Sequence, residues 1–185
     1  VSLMSLGGSL QSYIKGQFDN LGADILNISA ARFRGTSTGT QPLTTQDAEG
    51  LTDPTVAPHV QAVAWTYSVQ TTVRSGENST TLQVQGVTAN YADVNNWHPA
   101  SGGAFITQED VDSSARVALI DQTTAEDYFS GVNPVGQTLL VGGQVFTIIG
   151  VMEERSTGVS QQMVIIPVTT AQTRLTNVRV AGKGY

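Results

Sequence analysis

FSGVNPVGQTLLVGGQVFTIIGVM, residues Phe129–Met152, holds five of the chain's 19 glycines. Glycines set between hydrophobic runs either cradle phosphates or turn the chain. A dinucleotide fingerprint places G-x-G-x-x-G between a strand and a helix. Gly131, Gly136, Gly142, Gly143 and Gly150 do not have that spacing. A phosphate loop ends in Gly-Lys-Ser/Thr, and no lysine lies between Lys15 and Lys183. Strand-forming residues follow Gly142-Gly143, so no helix N-terminus is offered to an anion. Gly-Gly between TLLV and QVFTII is instead the mark of a two-residue hairpin, whose primed turns need positive φ. The stretch predicts a β-hairpin and no nucleotide cradle.

Reading toward the N-terminus, QTTAEDYF is expected as a helix carrying Ala125, Tyr128 and Phe129, with Asp121 as its N-cap. ARVALID reads as a buried strand and ITQEDVDSS as a short helix start. NYADVNNWHPASGGAF reads as a loop with a turn at Gly102-Gly103. RSGENST is a tight turn between an extended run over 59–74 and the strand TTLQVQGVTA, in which Leu82, Val84 and Val87 take strand spacing. LTTQDAEGLTDP is a short helix whose Thr44 and Asp47 resemble a capping box and which Pro54 closes. RFRGTSTGTQP is a polar loop. Before it, Leu26, Ile28 and Ala30 alternate with Asn27 and Ser29 as in a half-buried strand. At the start, Leu3, Leu6, Leu10, Ile14, Phe18 and Leu21 form one apolar helical stripe, with Gly22 at the C-cap.

Toward the C-terminus, MVIIPV reads as a strand and TTAQTRL as a helix. No internal repeat is evident. The order is α+β, with two ends that resemble each other more than the middle. The expected division is a discontinuous α+β unit, residues 1–62 and 156–185, holding an inserted β-rich unit, residues 63–155.

Composition narrows the function. In 185 residues, 39% are hydrophobic but only 13% charged, so Thr, Ser, Gln, Asn and Gly cover much of the surface. The formal net charge is −6 and the pI about 4.7. Arg32 and Arg34 are the one close basic pair, so no basic stripe suits a nucleic acid. With no cysteine, disulfides, thiolate zinc sites and cysteine nucleophiles are excluded. No apolar run reaches the roughly 18–20 residues of a membrane-spanning helix. A chain that starts within a helical pattern reads as a piece of a larger protein whose membrane anchors lie outside it.

Few residues suggest chemistry. His59 and His98 each stand without a ligand at helical spacing, and metal sites need several convergent ligands. Glu109, Asp110 and Asp112 follow Thr107, where acidic residues favour a helix dipole. Glu109 or Asp110 acting with His98 would make a hydrolase, but no recognised arrangement joins them. Trp65, Tyr67, Tyr91 and Trp97 could line a groove, although strand aromatics are more often core. Trp97, in the loop NNWHP, is expected to be partly exposed and is the one candidate partner-binding residue. No catalytic, cofactor-binding or metal residue is assigned, and no cofactor is expected.

Taken in order, LGADILNIS, LTTQDAEGL, VQGVTANYADVNNWHPASGGAFITQEDV, RVALIDQTTAEDYFSGVNPVGQTLLVGGQVFTIIGVM and MVIIPVTTAQTRL resemble the extracytoplasmic core domain of MacB/FtsX-type ABC transporter permeases. Gly103 stands where that family usually has arginine, and Asp121 where glycine is common. A further strand and helix that the family carries would follow the last residue here. The resemblance implies a membrane-proximal porter-like α+β subdomain with a Sabre-like β-rich insertion, on the outer face of the bacterial cell membrane. It implies no covalent chemistry, ATP hydrolysis by a separate cytoplasmic domain, and coupling of transmembrane-helix motion to substrate export or to an adaptor protein. The parent is then expected to be a membrane-anchored dimer and the isolated domain a monomer, with no nucleic-acid partner. The alternative is a free-standing extracellular domain that grips a peptide or glycan through its aromatics.

Overall fold

The computed structural model describes residues 25–28, 48, 50–53, 55, 57–154 and 162–175. The expected N-terminal helix, the RFRGTSTGTQP loop, most of LTTQDAEGL and the last ten residues lie outside them. The chain divides into two compact units, Val1–Val63 with Val94–Asn96, and Ala64–Asp93 with Trp97–Tyr185.

In the smaller unit, Ala48 and Gly50 are helical, as expected. Leu51 N–H donates to Ala48 O and Ala57 N–H to Asp53 O, at 3.2 and 2.9 Å. The strand expected from Leu26 onward is not formed at residues 25–28. Leu26 is 83% and Ile28 56% exposed. Alternating side chains bury only where a neighbouring strand or helix covers them, and no strand among the described residues pairs with this segment.

The larger unit is built on six strands: β1 Thr66–Ser75, β2 Asn78–Val87, β3 Val117–Ile120, β4 Thr138–Val141, β5 Gln144–Val151 and β6 Met163–Pro167. They form a closed barrel in the order β1-β2-β6-β3-β5-β4. Pairs β2–β6 and β3–β5 are parallel and the other four antiparallel. The opening stretch forms the hairpin β4–β5, with Gly142 and Gly143 at φ +56° and +81°. Positive φ at both turn positions is what a type I′ turn demands and what glycine adopts without steric cost. The other hairpin, β1–β2, turns at Gly76-Glu77 with positive φ at Gly76 alone. The extended run expected over 59–74 is strand only from Thr66 onward.

Burial explains the strand patterns. Along β2, Leu82, Val84 and Gly86 are buried and alternate with Thr81, Gln83 and Gln85, the period-two pattern of a strand with one wet face. β3 and β6 are buried without a break from Ala118 to Ile120 and from Val164 to Pro167. Both of their faces are covered, so neighbouring residues enter different cores. Ala118, Ile120, Val164 and Ile166 join Val73, Val84, Leu139, Val141, Phe146 and Ile148 inside the barrel. Leu119 and Ile165 point outward into a second cluster with Tyr91, Trp97, Ile106, Val111, Met152 and Val168.

Helices close what the strands leave open. The expected QTTAEDYF helix is α3, Gln122–Phe129, and its Ala125, Tyr128 and Phe129 pack on the barrel core. Two shorter helices precede it, α1 Tyr91–Asn95 and α2 Gln108–Asp112. α1 lies where a loop is expected, since five residues are too few to show a helical period. After β6 the chain turns into α4, Val168–Thr170, which continues as a π-turn over Ala171–Leu175. Gly86 permits that approach: a Cβ there would stand 2.6 Å from the Ala171 Cβ. β6 is hydrogen-bonded between β2 and β3 in the barrel. Sequence order does not reveal such a parallel insertion, because the β2–β6 pair joins residues about eighty positions apart.

Candidate interaction surface

Of the residues that suggested chemistry, Asp110 and Asp112 have structural tasks. Thr107 caps α2 in a reciprocal box with Asp110: its Oγ1 accepts from Asp110 N–H at 3.2 Å, and Thr107 N–H donates to the Asp110 carboxylate at 2.9 Å. The next helical turn uses Asp112, which accepts from Gln108 Nε2 at 2.8 Å. His59, His98 and Glu109 are exposed. Among the described residues no three His, Asp or Glu side chains gather as metal ligands. Asp53 is exposed and follows the short helical stretch at Ala48 and Gly50. The Thr55 hydroxyl, and then the Thr55 amide, hold that carboxyl below the ordinary carboxylate range.

Asp121 does more than the capping its sequence position predicts. Its carboxylate accepts from the amides of Thr123 and Thr124 at 3.1 and 3.4 Å and from the Thr124 hydroxyl. It also accepts from Met163 N–H at 2.9 Å, while Asp121 N–H donates to Met163 O at 3.3 Å. The side chain thus prolongs the β3–β6 ladder by one rung and fixes α3 at its end. A carboxylate accepting from backbone amides makes the stronger, charge-assisted kind of bond.

Trp97 corrects an expectation. It is 8% exposed, and its Nε1–H donates to Glu153 O at 2.6 Å. α1 ends with Asn96 at φ +45° and with Trp97 N–H donating to Ala92 O at 2.9 Å, a Schellman-type end that turns the indole toward the second core cluster. The loop that follows is a strap along β5. Ala100 N–H donates to Val151 O, Ala104 N–H to Ile149 O and Glu153 N–H to His98 O, at 2.8, 3.0 and 3.1 Å. The strap lies so close that a Cβ on Gly103 would meet the Gly150 Cα at 2.9 Å. NNWHPASGG is therefore anchored, with only His98, Ser101 and Gly102 of its last six residues exposed. Trp97 itself is buried.

Among the described residues, two open surfaces stand out. The outer face of β1–β2 is a ladder of uncharged polar rungs, Ser68 opposite Gln85, Gln70 opposite Gln83 and Thr72 opposite Thr81. Beside α3 runs a shallow groove lined by Gln122, Ala125, Glu126, Phe129, Pro134 and Val151. Neither holds a nucleophile paired with a base.

Comparison with known proteins agrees with this geometry. The MacB-like periplasmic core domain family matches residues 1–183. The chain belongs to that family. It is 30% identical over 185 residues to the macrolide export ATP-binding/permease protein MacB of Azoarcus sp. strain BH72, covering 97% of this chain and 27% of that protein. Over 185 residues it is 28% identical to the pyoverdine export ATP-binding/permease protein PvdT of Pseudomonas putida, again spanning 27% of the relative. The chain thus spans about a quarter of the length of these curated relatives. The periplasmic region of MacB from Actinobacillus actinomycetemcomitans superposes with a TM-score of 0.64 at 26% identity, covering 74% of this chain and 60% of that one. The extracellular domain of the ABC-type transporter YknZ from Gram-positive bacteria gives 0.63 at 26%, covering 72% and 67%. This MacB-like core domain is α+β and extracytoplasmic, as the resemblance implied. Within the described residues no helix is long and apolar enough to cross a membrane.

Proposed function

We propose that this chain is the extracytoplasmic, non-catalytic domain of an ABC transporter permease, and that it couples movement of the transmembrane helices to substrate export or to an adaptor protein. The observation that carries the reading is the family match over residues 1–183. ATP hydrolysis belongs to another part of the parent protein, which is membrane-anchored and dimeric on this reading. On this reading the chain combines a porter-like α+β unit with a Sabre-like β-rich insertion, to which the barrel strands β1 to β5 belong. Burial of Tyr91 and Trp97 leaves half-buried Trp65 and Tyr67 as the aromatics on which a free-standing peptide or glycan binder would rely.

Titration of the purified chain with Mg–ATP by calorimetry tests the absence of nucleotide chemistry. No binding heat and no phosphate release are expected. Turnover by this chain alone would contradict the reading.

A further inference from the structure

A closed barrel of six strands has six joints, and here they differ widely in length. β1 and β2 are in register from Thr66–Val87 to Ser75–Asn78, and β2 and β6 from Gln83–Met163 to Val87–Pro167. Two joints are much shorter. β3 meets β6 only at Leu119–Ile165 and Ile120–Val164, and β1 meets β4 only at Val73–Val141 and Arg74–Leu140. The first is prolonged by the Asp121–Met163 bonds and is packed on both faces. The second is prolonged by one bond, Gly142 N–H to Thr72 O at 2.9 Å. It is packed on its inner face by Val73 and Val141, while Thr72, Arg74 and Thr138 are exposed outside. Arg74 does not reinforce it, since its Nε donates back to Gly76 O at 3.1 Å within its own hairpin. A shallow cleft between Arg74, Gly76, Leu140 and Val145 already notches the outer surface of the joint.

Local opening of a native protein follows the elements with few buried contacts and exposed backbone hydrogen bonds. We propose that the barrel opens at the β1–β4 joint: β1 and β4 separate as one cooperative event while the β2-β6-β3-β5 part stays paired. This opening is a property of the fold and does not rest on the transport reading.

Amide hydrogen exchange of the whole chain, followed by NMR across low urea concentrations, tests it. The Gly142 and Leu140 amides are expected to share one opening equilibrium that grows with urea and exceeds by about tenfold or more that of the Met152 and Met163 amides. A second measurement uses Arg74→Cys with Leu140→Cys. Directly opposed residues lie about 4.5–5.5 Å apart, within disulfide reach, and the chain has no other cysteine. The oxidised pair is expected to slow exchange at Gly142 about tenfold, and reduction to restore it. Gly142 protection equal to that of Met163, exchange at Gly142 independent of urea, or a disulfide without effect on it would each overturn the proposal. Should the double variant not fold, the urea series on the unaltered chain decides alone.

Discussion

The β3–β6 and β1–β4 joints are equal in strand register and unequal in everything around it. At β3–β6 the two shared rungs are flanked by an Asp121 carboxylate that replaces a missing backbone acceptor and by hydrophobic clusters on both sides. At β1–β4 the same number of rungs has one additional backbone bond and water on its outer face. Rung count therefore says little about which joint holds. Burial on a second face and one well-placed carboxylate decide it, because a backbone hydrogen bond contributes only about 0.5–1.5 kcal/mol net while an unmade buried one costs about 1–3 kcal/mol.

The largest effect should come from the strong joint. Ile120→Ala removes a fully buried side chain shared between β3 and the barrel core. It should destabilise the chain by about 2–5 kcal/mol, measured by urea unfolding. A loss below about 1 kcal/mol would mean that this joint is not where the barrel is held. Asp121→Ala should cost about 1–3 kcal/mol, since it leaves Met163 N–H and the first amides of α3 without their acceptor. Asp121→Asn, which keeps an acceptor oxygen, should lose less. If the two variants unfold alike, the carboxylate is not the clamp. On the β4 side, Gly143→Ala forces a residue with a Cβ to φ +81° and should cost about 1–2 kcal/mol, accompanied by faster exchange at Gly142. Smallest is Leu140→Thr, which alters a half-buried residue on the outer side of the weak joint and should change stability by no more than about 0.5 kcal/mol.

Much of this architecture was legible where the deciding interaction is local. Gly142-Gly143 between two strand-forming runs announced its turn, Thr107 with the acids behind it announced α2, and Asp121 before QTTAEDYF announced the start of α3. Each depends on residues within a few positions. What could not be read depends on distance along the chain. Met163 finds the Asp121 carboxylate across 42 positions, and Trp97 finds Glu153 O across 56. Neither leaves a mark in the sequence near the residue itself. NNWHPASGG carries every sign of an exposed loop, yet its backbone is spent on β5 and its indole on a core, with Gly103 and Gly150 small enough to let the two segments touch. Leu26 and Ile28 failed the other way: an alternating pattern promises a buried face only where something lies against it. A signal for Asp121 did exist in its departure from the glycine usual in the resembled family, although nothing nearby said what the carboxylate would reach.

The same division bears on function. Asp110, which read as one half of a conceivable acid–base pair, is engaged in the box of α2, and Asp121 in the ladder of β3–β6. Groups so engaged stabilise a framework. The central claim is that the domain serves transport without hydrolysing nucleotide, and it is tested most directly in the parent protein with residues 1–185 replaced by a short flexible linker. Substrate export and ATP hydrolysis would be measured side by side on the reconstituted protein. Loss of export with basal ATP hydrolysis retained is expected; export at the level of the unaltered protein would contradict this role.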